Sequence, residues 1–302
     1  MKFALIRVIA ILLAALGSLA HADPPSRPYV LEGTEVHSIP SKILKRDYEI
    51  FVNLPDSYAK GTKSYPVLFI TDANYAFPVL RSINRRVSDN GERLQEFILI
   101  ALSYSKGDSP IKSRNRDYTP TDIDAKKTRD GDQGGELYGE AEKYRRYLNE
   151  EVFPYVAKNF RADMSRKVFM GHSYGSLFGT HMLLTEPAMF SHYVLSSPSL
   201  WFDKYVMLDA EREYSRTHKD LRAAVLLLTG SYETLKPGSK NKRFNTRADM
   251  VKDMKSFEKQ LKARRYPGLT IHSEVIADED HLTVAPSAMT RGLLWAFGTV
   301  EK

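Results

Sequence analysis

The chain has 302 residues, 42% hydrophobic and 27% charged, the make-up of an ordinary soluble globular protein with room for one large domain or two small ones. It contains no cysteine, which excludes disulfides, a thiol nucleophile, thiolate metal sites and a lipidated N-terminal cysteine. The formal charge of +7, lower by two without Lys2 and Arg7, suits an anionic substrate or solubility alone; no nucleic-acid partner is expected.

Residues 1–22 stand apart from the rest of the chain. Lys2 and Arg7 form a basic lead, residues 9–16 an apolar run, and Ala20-His21-Ala22 a small-x-small cleavage site. This is the pattern of a secretory signal peptide cleaved after Ala22. The apolar run is shorter than the roughly 20 residues that span a bilayer, so no stable membrane anchor is expected after cleavage. Export without disulfides is compatible with a bacterial periplasm.

Residues 23–39 read as an arm leading into a first strand. Residues 47–54 (DYEIFVNL) alternate polar and apolar with period two, as a half-buried antiparallel strand does. The continuous apolar runs 67–70 (VLFI) and 97–102 (FILIAL) predict central strands covered on both faces. Periodicity disappears between residues 103 and 135, predicting a long surface excursion, and a helical pattern returns over 136–160, where Pro154 is expected to kink or end it. Strands are predicted at 168–170, 190–195, 223–229 and 269–276, and helices after residue 173 and over 203–218, 248–264 and 286–297. Strands and helices thus alternate from about residue 67 onward, which predicts an α/β protein. Its central sheet should be mostly parallel, with antiparallel N-terminal strands and helices on both faces. No internal repeat or linker interrupts residues 23–302, so they are expected to form one domain.

The chemistry centres on residues 167–176 (KVFMGHSYGS). Here a short buried strand runs into G-x-S-x-G and then into a small-residue helix, the context in which such a serine is a nucleophile. A serine hydroxyl needs a base within hydrogen-bond reach, itself oriented by a carboxylate. On a parallel sheet with this elbow the order along the chain is serine, acid, histidine. Glu233 in Gly230-Ser231-Tyr232-Glu233 follows a later strand, and His281 follows the last strand. Ser173, Glu233 and His281 are therefore the candidate catalytic residues, with Asp278 and Asp280 as alternative acids. His172 is expected to support the turn. The oxyanion would be held by the Tyr174 backbone N–H and by a second N–H from Asp72-Ala73-Asn74, with Asn74 preferred. No metal-ligand spacing, phosphate loop or dinucleotide fingerprint occurs, and no cofactor is expected.

Six segments together resemble the esterase D-like family of the α/β-hydrolases: YPVLFITDANYAF (65–77), RNRDYTP (114–120), GHSYGSLFGTHML (171–183), SSPSLWF (196–202), LLLTGSYE (226–233) and DEDHLTVAPSAMTRGLLWAF (278–297). They lie in the family's order and cover most of the chain. Two positions depart from the family pattern: Ala73 stands where a glycine is usual, and the acid is Glu rather than Asp. The resemblance implies an α/β-hydrolase fold and an acyl-enzyme mechanism. The leader, RNRDYTP and SPSLW segments look most like periplasmic siderophore esterases of the enterobactin type. On that likeness the substrate is a small-molecule ester, an anionic ferric catecholate trilactone. Arg114 and Arg116 would pair with catecholate oxygens, and Tyr118, Tyr75 and Trp201 would contact its rings. Lys236, Lys240, Lys242, Arg243 and Arg247 form a second basic group in the loop after the acid. The competing readings are a general carboxylesterase or acyltransferase and a non-catalytic siderophore-binding protein.

Overall fold

Strands β1 (Thr34–Ser41) and β2 (Arg46–Asn53) form an antiparallel hairpin whose turn is held by the Leu44 N–H donating to Ser41 Oγ at 2.9 Å. The computed structural model describes residues 26–88, 93–123 and 138–299; the expected leader, residues 1–22, lies outside them. The described residues hold six further strands: β3 (Tyr65–Ile70), β4 (Ile98–Leu102), β5 (Ala162–His172), β6 (His192–Ser196), β7 (Ala223–Gly230) and β8 (Leu269–Ile276). They join the hairpin in one eight-stranded sheet of order β1-β2-β4-β3-β5-β6-β7-β8. β2 meets β4 antiparallel, and every pairing from β4 to β8 is parallel.

Among the described residues there are eight α-helices. They are α1 (Ala73–Val87), α2 (Pro110–Asp117), α3 (Ala141–Tyr147), α4 (Phe153–Asn159), α5 (Tyr174–Thr185), α6 (Phe202–Thr217), α7 (Met250–Arg264) and α8 (Val284–Phe297). Alternate residues of the central strands point to opposite faces. Leu68, Ile70, Met170 and Val194 pack with α1 and α8, while Val67, Phe69, Phe169 and Leu195 pack with α3 to α7. β3 and β4 are buried at every position, and this double cover is why they read as continuous apolar runs.

Compactness divides the chain into residues 1–32 and 33–302. Of the first unit, residues 26–32 carry no helix or strand; the second holds the whole sheet. Among the described residues no helix is long and apolar enough to cross a membrane.

Three elements differ from the sequence reading. α1 starts three residues beyond the end of β3, where no helix was predicted. The excursion after β4 is helical over α2, which begins at Pro110 and is capped by Ser109 Oγ accepting the Lys112 N–H at 3.2 Å; residues 124–137 lie outside the described residues. The helical run through Pro154 is not one α-helix: a π-turn, Leu148–Val152, separates α3 from α4, so the change in winding falls just before the proline that has no N–H to give.

Candidate active site

β5 ends at His172 and α5 begins at Tyr174, leaving Ser173 alone at the turn with φ 59° and ψ −118°. A non-glycine residue in that region is strained and persists only where its surroundings fix it. Here the Ser173 N–H donates to Ser196 O at 2.9 Å. The Ser176 hydroxyl lies 2.7 Å from Gly171 O and 2.8 Å from Ser196 O, tying the turn to the end of β6. Both motif glycines sit at close approaches. A Cβ on Gly171 would stand 2.6 Å from the Gly175 backbone, and one on Gly175 would stand 2.3 Å from Thr71 Oγ1.

His281, in the loop between β8 and α8, places Nε2 2.9 Å from Ser173 Oγ and Nδ1 2.7 Å from Glu233 Oε2. A carboxylate against Nδ1 fixes the proton there and leaves Nε2 as an acceptor for the serine hydroxyl. Glu233 is buried on the short turn that follows β7. Its other oxygen accepts the Gly230 N–H at 2.8 Å and the Ser197 hydroxyl at 2.6 Å. The two loops are clamped by the Tyr232 N–H donating to Glu279 O at 2.9 Å. A Cβ on Gly230 would stand 2.4 Å from that same carbonyl oxygen.

The alternative acids are engaged away from His281 Nδ1, which Glu233 occupies. Asp280 takes the Arg243 Nε–H at 2.7 Å and the N–H groups of Leu282 and Thr283 at 3.1 Å. Asp278 meets its neighbours through its backbone, donating to Ser231 Oγ and accepting from Arg243. His172 does support the turn, with Nδ1 3.1 Å from Ser196 Oγ and its ring 4.7 Å from that of His281. Burial, reinforced by His281 and Arg114, holds the His172 pKa well below the usual histidine value. The His281 ring therefore lies against a neutral neighbour at neutral pH.

Two cavities meet beside this cluster, sharing Ile111 and Arg114. The smaller, about 240 Å³, is lined by Ser173, Tyr174, Trp201, Asn115 and Tyr138. The larger, about 340 Å³, is walled mainly by apolar side chains and includes Tyr75 and His172. Arg114 Nε lies 2.8 Å from Asp72 Oδ1 without good N–H alignment, and another of its N–H groups donates to His172 O at 3.3 Å. Burial lowers the Arg114 pKa, but Asp72, helped by Tyr118 and Tyr104, outweighs it and the net shift is upward. The guanidinium stays charged.

Residues 41–282 match the family described as "Putative esterase". The chain belongs to this family. Among curated proteins it is similar to the ferri-bacillibactin esterase of Bacillus subtilis, 26% identical over 277 residues that make up 90% of this chain and 92% of the relative. It is also similar to the siderophore enterobactin esterase of Emericella nidulans, 24% identical, covering 82% and 88% of the two chains. Among solved structures it resembles the BES protein from Bacillus cereus at TM-score 0.74 and 22% identity, over 91% of this chain and 99% of that one. Its sheet, with helices on both sides, is that of the α/β-hydrolase fold.

Within this esterase the expected substrate contacts separate into two groups. Arg114, Trp201 and Tyr75 line the cavities. Arg116 and Tyr118 do not. Arg116 is 2% exposed and is held by Asp108 at 2.7 Å and Asp117 at 2.8 Å, with Tyr48 at 3.5 Å. Tyr118 is 1% exposed and stacks on Phe178 at 5.8 Å. The reason is α2: residues two apart on a helix do not share a face, so with Arg114 toward the cavities Arg116 turns inward.

Tyr174 opens α5 and Asn74 is the second residue of α1, so both N–H groups belong to a first helical turn, which has no i−4 acceptor. The residues of that stretch seen against the elbow are Thr71 and Asp72. In the second basic group Arg243 is engaged with Asp280 and lies 4.4 Å over the Tyr232 ring, and Lys236 lies 4.6 Å over Phe244. Sequence reasoning gave no role to Ser196, Ser197 or Ser199, which reach His172, Glu233 and Ser173 Oγ (3.4 Å) respectively. Their run at the carboxyl end of a strand beside the elbow was the available signal.

Proposed function

We propose that this protein is a periplasmic serine esterase that opens the trilactone of an anionic catecholate siderophore, iron-loaded or iron-free, by acyl transfer at Ser173. The observation that carries the reaction is the unbroken contact from Ser173 Oγ through His281 to Glu233, 2.9 and 2.7 Å long. Ser173 attacks the ester carbonyl while its proton passes to His281 Nε2. Glu233 holds the imidazole in the accepting tautomer and stabilises the imidazolium that forms. The Tyr174 N–H and an N–H from residues 72–74, Asn74 by preference, take up the oxyanion charge, each for about 3 kcal/mol. His281 then protonates the leaving alcohol, and water resolves the acyl-enzyme by the same proton path.

The names of the relatives, esterases of ferri-bacillibactin and enterobactin, support the substrate class. So does the charged Arg114 between two cavities that carry Trp201 and Tyr75, since a guanidinium pairs with catecholate oxygens and rings pack on rings. The leader sequence and the absence of cysteine support the compartment.

Ser173→Ala is expected to lower hydrolysis of 4-nitrophenyl butyrate by about 100,000-fold; unchanged turnover would remove Ser173 as the nucleophile. Incubation with enterobactin and its ferric complex, followed by chromatography, should yield linear esters and their fragments. Intact lactone beside rapid cleavage of the simple ester would reduce the protein to a general carboxylesterase. Tight binding of the siderophore without turnover would make it a binding protein.

A further inference from the structure

The larger cavity has features that acyl transfer at Ser173 does not itself require. Its wall is built from Ile70, Met170, Val194, Ala285, Ala288 and Met289. At its mouth three large apolar side chains face solvent, Tyr75 at 47%, Ile111 at 61% and Leu282 at 79% exposure. One exposed apolar side chain needs no explanation, but three around a single apolar opening mark a place where something docks. Of its polar lining, Asp72 is met by the Tyr104 hydroxyl, which donates to Oδ1 at 2.8 Å, and by Arg114, while His172 and Ser196 meet each other. The six wall side chains offer no hydrogen-bond partner, so the part of an occupant that packs on them must be apolar. An apolar cavity of about 150 Å³ admits a benzene ring. This one, at about 340 Å³, has room for a ring and the atoms that tether it.

The chemistry sets which half of an ester can reach it. The base that takes the serine proton must return it to the leaving oxygen, so the leaving alcohol lies on the His281 side of Ser173. The larger cavity is on that side. His172, whose ring lies against that of His281, and Leu282, the residue after His281, both line it, whereas Ser173 and Trp201 line the smaller one. We infer that the larger cavity binds an apolar group of about one aromatic ring carried by the leaving-alcohol half of the substrate, and that the acyl half occupies the Trp201 side. This rests on the proposed acyl transfer at Ser173 and adds to it a direction for the ester across the site.

The isomers benzyl acetate and methyl phenylacetate carry the same ring on opposite sides of the ester bond. With each kcat/KM divided by the rate of hydroxide hydrolysis, benzyl acetate is expected to be preferred about tenfold or more. Ala288→Phe, which fills the cavity from α8, and Leu282→Asp, at the exposed rim of the larger cavity alone, should each bring that ratio close to one. Thermal unfolding checks that Ala288→Phe is folded; Leu282→Asp tests the same point without touching the core. A preference for methyl phenylacetate, equal rates, or a benzyl preference that survives both variants would overturn the inference. Loss of all Ser173-dependent cleavage, methyl acetate included, would overturn the acyl-transfer reading first and this inference with it.

Discussion

Glu233 is 1% exposed, yet both of its oxygens are met by donors: the Gly230 N–H and the Ser197 hydroxyl on one, His281 on the other. A buried carboxylate is tolerated only with that degree of pairing. An amide in its place cannot serve all three, and with its NH₂ toward His281 it forces the imidazole proton onto Nε2, where the serine proton should go. Glu233→Gln is therefore expected to lower kcat about 1,000- to 10,000-fold with little change in KM, as steady-state kinetics would show. Asp278→Asn and Asp280→Asn should stay within a few-fold of wild type; a larger loss in either, with Glu233→Gln active, would move the acid. At this scale the sequence was informative wherever chain order constrains which side chains meet, as it does for Ser173, Glu233 and His281. It was uninformative where a role depends on which way a side chain turns. Arg114 and Arg116 differ only in the face of α2 they occupy, and nothing in RNRDYTP marks that stretch as helical. Tyr118 shares the Arg114 side of that turn but is buried against Phe178, a packing contact that no local pattern announces.

The elbow shows how tightly an element can constrain its residues. Gly171 faces backbone and Gly175 faces the Thr71 side chain, so the two glycines are not equally replaceable. Gly171→Ala must displace the first turn of α5 itself, with an expected loss of about 2–3 kcal/mol, while Gly175→Ala can be relieved by rotation of Thr71 and should cost less. Denaturant midpoints of the two variants check the order, and the reverse order would contradict the packing described. The strands were legible because their burial writes itself into the sequence, as continuous runs in the middle of the sheet and alternation at its edge. α1 was not legible. Its Ala-Asn-Tyr start follows β3 after only Thr71 and Asp72, so the Asp before it reads as a strand end as readily as a helix cap, and in the structure Asp72 is left-handed and makes no side-chain cap.

At the scale of the whole molecule, one buried carboxyl outside the site has a measurable consequence. Asp253, in the first turn of α7, is 7% exposed, and its Oδ2 has no hydrogen-bond partner. Burial, then the charge of Asp249, pushes its pKa up to about 6, against a partial offset from Lys252. The folded protein thus holds this proton more tightly than the unfolded chain does, so ionisation of Asp253 opposes folding above pH 6. That cost disappears as the pH falls toward 4. Asp253→Asn should raise Tm by about 3 °C at pH 8 and leave it unchanged near pH 4; an equal gain at both pH values would mean that packing, not charge, is the cause. The contact of Ser173 with His281 and Glu233 has a different consequence at this scale. Ser173 and His281 are 108 residues apart, and the helix after His281 is anchored by Phe297, which stacks on Phe97 at 4.3 Å and whose carbonyl accepts the Gln95 N–H at 2.7 Å. Ser173 meets His281 only after β6, β7 and β8 have been added in turn and α8 has been fastened back to the segment that leads into β4. Contacts so distant along the chain form late. During refolding, recovery of esterase activity should therefore trail the return of helical circular dichroism and coincide with the slowest phase, making turnover a clock for the final closure of the chain.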